Sequence, residues 1–267
     1  VNALLEHIDP RGVATVTLNR LDRHNAFDDA LIAGITATLR RLESDPAVRI
    51  VVLAAAGKSF SAGADLGWMR RMAGYSEAEN ISDAEKLAEM LHTLDRLKKP
   101  TVALVQGPAY GGGVGLVACC DVALAAERAS FRLSEVRLGL TPATISPYVV
   151  NAIGARHARR YFVTAESFSA ARAKEIGLVH EVVAEAALGE TCETVIENLL
   201  QGAPGAQADA KDLVFLCEGR AIDAALGAET SRRIASRRGS PEGREGLAAF
   251  LEKRAPAWRA ETPKPPR

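Results

Sequence analysis

Between Thr101 and Cys120 the chain runs for twenty residues without a charge, and any fold it adopts has to bury that stretch. Its length alone would let it cross a bilayer as a helix. Its composition argues otherwise. Gln106, Pro108 and five glycines (107, 111, 112, 113 and 115) divide it into a buried strand over Thr101–Val105, a loop and a short buried helix. A second segment repeats this design. Arg49–Ala56 is an almost continuous apolar run stopped by Gly57, as expected of a strand covered on both faces. The loop GKSFSAGAD and another helix start follow it.

The surrounding chain fits the same class. Val13–Asn19 alternates, with Ala14, Val16 and Leu18 on one face, and reads as a half-buried strand. Asp28 opens a helical pattern to about Leu42. Ser76 and Glu79 form a capping-box signature at the head of a helix to about Lys98, with Ile81, Ala84, Leu87, Leu91 and Leu94 at helical spacing before Pro100. A further strand is expected near Asp121–Ala125. Strand and helix alternate through about residue 183, which predicts an α/β fold with a partly parallel sheet. From Ala184 the pattern is nearly all helix, and the composition shift at QGAPGAQ, near residue 200, marks the one internal boundary. The Pro- and charge-rich end ETPKPPR predicts a disordered tail.

Composition narrows the function classes. At 267 residues and 48% hydrophobic content the chain can bury a core without disulfides or metals. Its 33 basic and 33 acidic side chains cancel, so no electrostatic footprint recruits nucleic acid or an anionic membrane, and neither is an expected partner. Cys119, Cys120, Cys192 and Cys217 show no metal-ligand or paired spacing, so no metal site is expected and a reduced cytoplasm is the expected compartment. The opening VNALLEHIDPRG lacks a basic start followed by an apolar run, and no signal peptide is expected.

Chemistry has two candidate places, the turns around Ala62-Gly-Ala-Asp65 and Gly111-Gly-Gly-Val-Gly115. Backbone N–H groups at a helix start are unpaired and carry the positive end of the helix dipole. Two of them converging on one point would hold an oxyanion; the bland alternative is a pair of tight packed turns. Gly113-Val-Gly-Leu-Val-Ala118 also satisfies a dinucleotide fingerprint, with Glu135 at ribose distance. Its context is poor: Gly107–Tyr110 separates the strand from the turn, and Cys120-Asp121 soon ends the helix. Asp65 and Asp121 read as caps or loop anchors. The five histidines, 7, 24, 92, 157 and 180, are scattered, and no G-x-S-x-G supports a serine triad.

SFSAGADL, GPAYGGGVGLVACCDVALAAERASFRLSEVRLGL, AARAKEIGLVHEVV and EGLAAFLEKRAPAW, in this order, resemble the enoyl-CoA hydratase/isomerase (crotonase) superfamily over roughly residues 10–258. LGWM after GAD, and LSEVRLGLTPATISPYVV, resemble hydratases of branched, carboxylated enoyl-CoAs of the methylglutaconyl-CoA and carboxygeranoyl-CoA types. The resemblance implies a crotonase-type spiral of ββα units over 1–195, a helical C-terminal oligomerisation region over 196–258 and the tail over 259–267. It implies a homotrimer or a pair of trimers, an acyl-CoA substrate, and no cofactor beyond coenzyme A. Ala64 and Gly112 match the residues whose N–H groups hold the thioester oxygen, and Glu135 matches a catalytic glutamate that handles water and a proton. Arg20 and Arg23 match the nucleotide segment, and Lys253 with Phe250 lies on the helix that packs over a neighbour's site. Trp68 and Met69 are expected to wall the acyl pocket or pack in the core, and Ala62, Asp65, Leu66, Gly111, Gly115 and Pro142 are further expected contacts. One departure matters. Family hydratases carry a second glutamate where this chain has Gly115, and their Pro-Gly-Ala-Gly-Gly run is here Pro142-Ala-Thr-Ile-Ser146. A single glutamate is also the pattern of Δ3,Δ2-enoyl-CoA isomerases, which stands as the alternative within the fold. A CoA-binding protein with little catalysis stands as the alternative outside it.

Overall fold

The computed structural model describes residues 2–259, so the expected tail lies, apart from Arg259, outside the described residues. In chain order the elements are β1 (Leu4–Ile8), β2 (Val13–Leu18), α1 (Asp29–Ser44), β3 (Ile50–Ala55), α2 (Leu66–Met72), α3 (Glu77–Asp95), β4 (Thr101–Val105), β5 (Ala109–Tyr110), α4 (Gly112–Cys119), β6 (Val122–Ala126) and β7 (Ser130–Arg132). A 3-10 turn over Glu135–Leu138 precedes α5 (Ser146–Thr164), β8 (Phe168–Ser169), α6 (Ala170–Glu175), β9 (Glu181–Val183), α7 (Leu188–Gln201), α8 (Pro204–Cys217), α9 (Ala224–Gly239) and α10 (Pro241–Leu251). No helix among the described residues is long and apolar enough to cross a membrane.

The strands form two sheets. The larger is six-stranded, in the order β1-β2-β3-β4-β6-β9; only β1 runs antiparallel to its neighbour. The smaller sheet, β5-β7-β8, consists of strands of two or three residues. The orders β4-β5-α4 and β6-β7-α5 each place the first strand in the larger sheet and the second in the smaller one. These are the strand-strand-helix units that the sequence resemblance implies.

The alternation of β2 works as expected: Ala14, Val16 and Leu18 are buried. They join Leu31, Ile35 and Leu39 of α1, Val51 and Leu53 of β3, and Leu91 and Leu94 of α3 in one apolar cluster. Burial of this kind is the main favourable term in folding. The twenty uncharged residues resolve into β4, β5, α4 and their connections, with fourteen buried and none exposed.

The chain divides into two compact units. One comprises the chain up to Leu97 together with Thr101–Thr194, and the other Lys98–Pro100 with the chain from Val195 onward. Within the second, Arg237 bonds Asp209, Glu242 and the carbonyl of Gly205. Glu242 in turn accepts the N–H groups of Gly205 and Ala206, so one ion pair ties the start of α8 to α9 and α10.

Candidate active site

The loop after β3 is held by backbone bonds on two sides. Phe27 donates to the Gly63 carbonyl and Asp65 donates to the Phe27 carbonyl, each at 2.7 Å, which makes Phe27 and Ala64 partners in a parallel bridge. The residue between two such bonds points its own N–H the other way. On the loop's other side Tyr110 donates to the Ser61 carbonyl at 2.9 Å, pairing Ser61 with Ala109. Gly63 sits at φ +90 with the Tyr110 carbonyl oxygen 3.3 Å from where a β-carbon would lie. Only glycine takes that backbone conformation without strain.

The second loop ends at Gly111, at φ 50 and ψ −118, which caps α4. Its carbonyl accepts the N–H groups of Val114 and Gly115. The N–H of Gly112 belongs to the unpaired first turn. Among the described residues neither the Ala64 nor the Gly112 N–H has an intramolecular hydrogen-bond partner. Both residues line the same cavity of about 540 Å³, a volume suited to a small-molecule acyl group.

Glu135 opens the 3-10 turn that Gly139 closes in the left-handed region. Its carboxylate lies against the second loop, with Oε1 3.0 Å from the position of a β-carbon on Gly111. Its Oε2 is buried and has no hydrogen-bond partner. Burial pushes the Glu135 carboxyl above its ordinary range, against a small opposing effect of its own backbone N–H. The cavity therefore joins paired N–H donors to a desolvated carboxylate, the equipment for stabilising an oxyanion while moving a proton.

The structure brings Ala62, Ala64, Leu66, Trp68, Met69, Gly111, Gly112, Glu135 and Pro142 together around this cavity. Trp68 serves both expected roles, buried in the core and lining the site. The other expected contacts lie outside the cavity lining. Gly115 does not line the cavity: a β-carbon there would fall 2.4 Å from Cγ2 and 3.0 Å from Cβ of Ile145, so Ile145 fills the space and takes the place at the wall. Asp65 is the N-cap of α2, accepting from the N–H groups of Gly67 and Trp68, and is absent from the lining. Arg20 pairs with Asp28 at 2.8 Å and Asp65 at 3.6 Å and donates to the Ala26 carbonyl; it is a loop anchor. Arg23 pairs with Asp65 at 2.8 Å but stays half exposed. Phe250 and Lys253 belong to the second unit and are exposed.

The sequence reading missed the contribution of α3. Asn80, Asp83, Ala84 and Leu87 line the cavity, although the sequence pattern marked Ala84 and Leu87 only by their helical spacing. Only Met90, Leu91 and Leu94 of α3 are buried. The signal was present: positions 80, 83, 84 and 87 share one helix face, and two of them are polar. Among the described residues no group of three or more His, Cys, Asp or Glu side chains is placed to hold a metal ion.

The chain matches the enoyl-CoA hydratase/isomerase family over residues 9–261. The crystal structure of an enoyl-CoA hydratase from Shewanella pealeana is similar with a TM-score of 0.94 and 46% identity, over 96% of each chain. A hydroxycinnamoyl-CoA hydratase-lyase of Pseudomonas fluorescens is 34% identical over 196 residues, which is 72% of this chain and 71% of that protein. 4-Chlorobenzoyl coenzyme A dehalogenase-1 of an Arthrobacter species is 32% identical over 252 residues, or 93% of this chain and 90% of that protein. By its nearly full-length match and by a fold shared with crotonase structures, this chain belongs to the enoyl-CoA hydratase/isomerase family.

Proposed function

We propose that the protein adds water reversibly to the double bond of an α,β-unsaturated acyl-CoA thioester. The observation that carries this reading is the convergence of the Ala64 and Gly112 N–H groups and the unpartnered Oε2 of Glu135 on one cavity. The thioester oxygen accepts from the two N–H groups. Ionised Glu135 takes a proton from water as the water oxygen bonds to C3. The double-bond electron pair moves through C2 towards the carbonyl, and the enolate oxygen gains charge in front of fixed donors. Protonated Glu135 then supplies the proton to C2, and the carboxylate is restored. On the sequence resemblance the acyl group is branched or carboxylated.

One observation favours the isomerase as a second reading. Ile145 fills the space beside Gly115, so the wall there is apolar and Glu135 works without a second carboxylate at that place. A single base suffices to carry one proton between C2 and C4 of a 3-enoyl thioester. Turnover of crotonyl-CoA, 3-methylglutaconyl-CoA and a 3-enoyl-CoA in parallel, each against Glu135→Gln, separates the readings. Hydration lost in the variant supports the hydratase. Bond migration without hydration makes it an isomerase, and silence on all three leaves a CoA-binding protein.

The same proposal includes a homotrimer or pair of trimers. Leu247, Phe250 and Leu251, at 55%, 81% and 78% exposed and three to four residues apart or adjacent on α10, support it, since a contiguous exposed apolar patch marks a contact surface. Contacts of Phe250 and Lys253 with a neighbour's nucleotide depend on that assembly. Arg23 remains a nucleotide candidate through its exposed half.

A further inference from the structure

The charge of the acyl group that fits this cavity can be read from its walls. Of the residues lining it, Glu135 and Asp83 alone are charged, and both are acidic; no Lys, Arg or His lines it among the described residues. Asp83 accepts the indole N–H of Trp68 at 3.2 Å and has no ion-pair partner among the described residues. Asn80, one turn earlier, commits its amide N–H groups to the Tyr75 and Ser76 carbonyls, which leaves its oxygen as the remaining polar atom. The other polar side chains of the lining are the neutral hydroxyls of Ser134, Thr141 and Thr144. A carboxylate moved from water into such a place loses its hydration, meets no cation, and is repelled by carboxylates already present. An uncharged hydrocarbon chain instead meets Phe27, Met69, Met72, Leu87 and Ile145.

We propose that the site selects uncharged acyl chains, and that Asp83 enforces the choice by repelling a carboxylate carried on the acyl group. Asp83 is thus a specificity-determining residue on α3. The proposal rests on the acyl-CoA reading of the cavity and departs from the carboxylated acyl class that the sequence resemblance implies.

The test uses the full chain and saturated thioesters, so binding is read whether or not the protein hydrates anything. Isovaleryl-CoA and 3-methylglutaryl-CoA share a branched skeleton and differ by a terminal carboxylate. Calorimetric titration is expected to show isovaleryl-CoA bound about tenfold or more tightly, as a like charge at short range requires. In Asp83→Asn, which keeps an oxygen for the Trp68 indole, the preference is expected to shrink by about the same factor; Asp83→Ser serves if the first variant does not fold. Equal or tighter binding of the carboxylated thioester by the wild type overturns the proposal, as does a preference that neither variant moves, or binding of neither thioester. Hydration of 3-methylcrotonyl-CoA is followed separately. Its absence beside an intact binding preference counts against the hydratase and leaves the charge selection standing.

Discussion

Glu135 carries opposing consequences for activity and stability. Its folded-state carboxyl is raised by burial, so the folded protein holds its proton more firmly than the unfolded chain. Stability from this group is full below the unfolded pKa and is lost as pH rises through the raised folded value. Once ionised, the unpartnered carboxylate is a cost. Glu135→Gln should therefore raise Tm at pH 7, by an amount equivalent to about 1 kcal/mol, while turnover falls roughly a thousandfold or more. Thermal melting and single-turnover kinetics check the two halves; a fall in both would mark Glu135 as structural. The acid limb of kcat/KM should lie above the ordinary carboxylate range, because the base works only when ionised. At Gly115 the departure was legible in the sequence but its cause was not. Ile145 lies thirty residues downstream, and no local pattern announces that the two meet. Gly115→Ala should cost about 1–3 kcal/mol in urea unfolding through overpacking, although alanine gains about 1 kcal/mol as a helix former.

At the scale of an element, α2 shows how a cap positions chemistry. Asp65 is buried, accepts from two N–H groups of α2 and pairs with Arg23. Burial would raise its carboxyl, but the bonds from Arg23, Trp68 and Gly67 outweigh that and hold it below the usual range. Its folded pKa is depressed, so its contribution is present above the unfolded pKa and lost as pH falls through the folded one. Asp65→Ala should cost about 2 kcal/mol and raise KM, because Ala64 is the next residue back. Asp65→Asn keeps the cap and should lose less, an order that chemical denaturation of the pair will test. Helix starts were the most legible part of the chain: Asp28, Ser76 and Asp65 all cap as their side chains imply. The role of the first half of α3 was not legible, because apolar spacing identifies a face without saying whether core or cavity lies against it.

For the whole molecule, alternation of strand and helix was readable because each pattern is local. The small sheet was not, since strands of two or three residues are too short to repeat the two-residue alternation that marks a strand. Net charge was equally uninformative: a sum of zero over the chain coexists with a cavity whose charged walls are all acidic. The cavity is built entirely within the first unit, so a CoA thioester should stabilise the fold by mass action. At about a hundred times its Kd, butyryl-CoA should add about 2.7 kcal/mol and raise Tm with concentration, whereas NAD should leave it unchanged. A shift with NAD alone would return the glycine run to the dinucleotide reading.

The contact between Gly115 and Ile145 also bears on how such a site can change over generations. A lineage gaining an acid at position 115 first would pass through an intermediate with a β-carbon 2.4 Å from a branched methyl. One that first exchanged Ile145 for a smaller residue would open a gap whose cost a later side chain could recover. The steps are epistatic, because residues in contact do not contribute independently. One order of mutation is passable and the other is obstructed, so a single methyl group acts as a ratchet on the route between one-carboxylate and two-carboxylate sites.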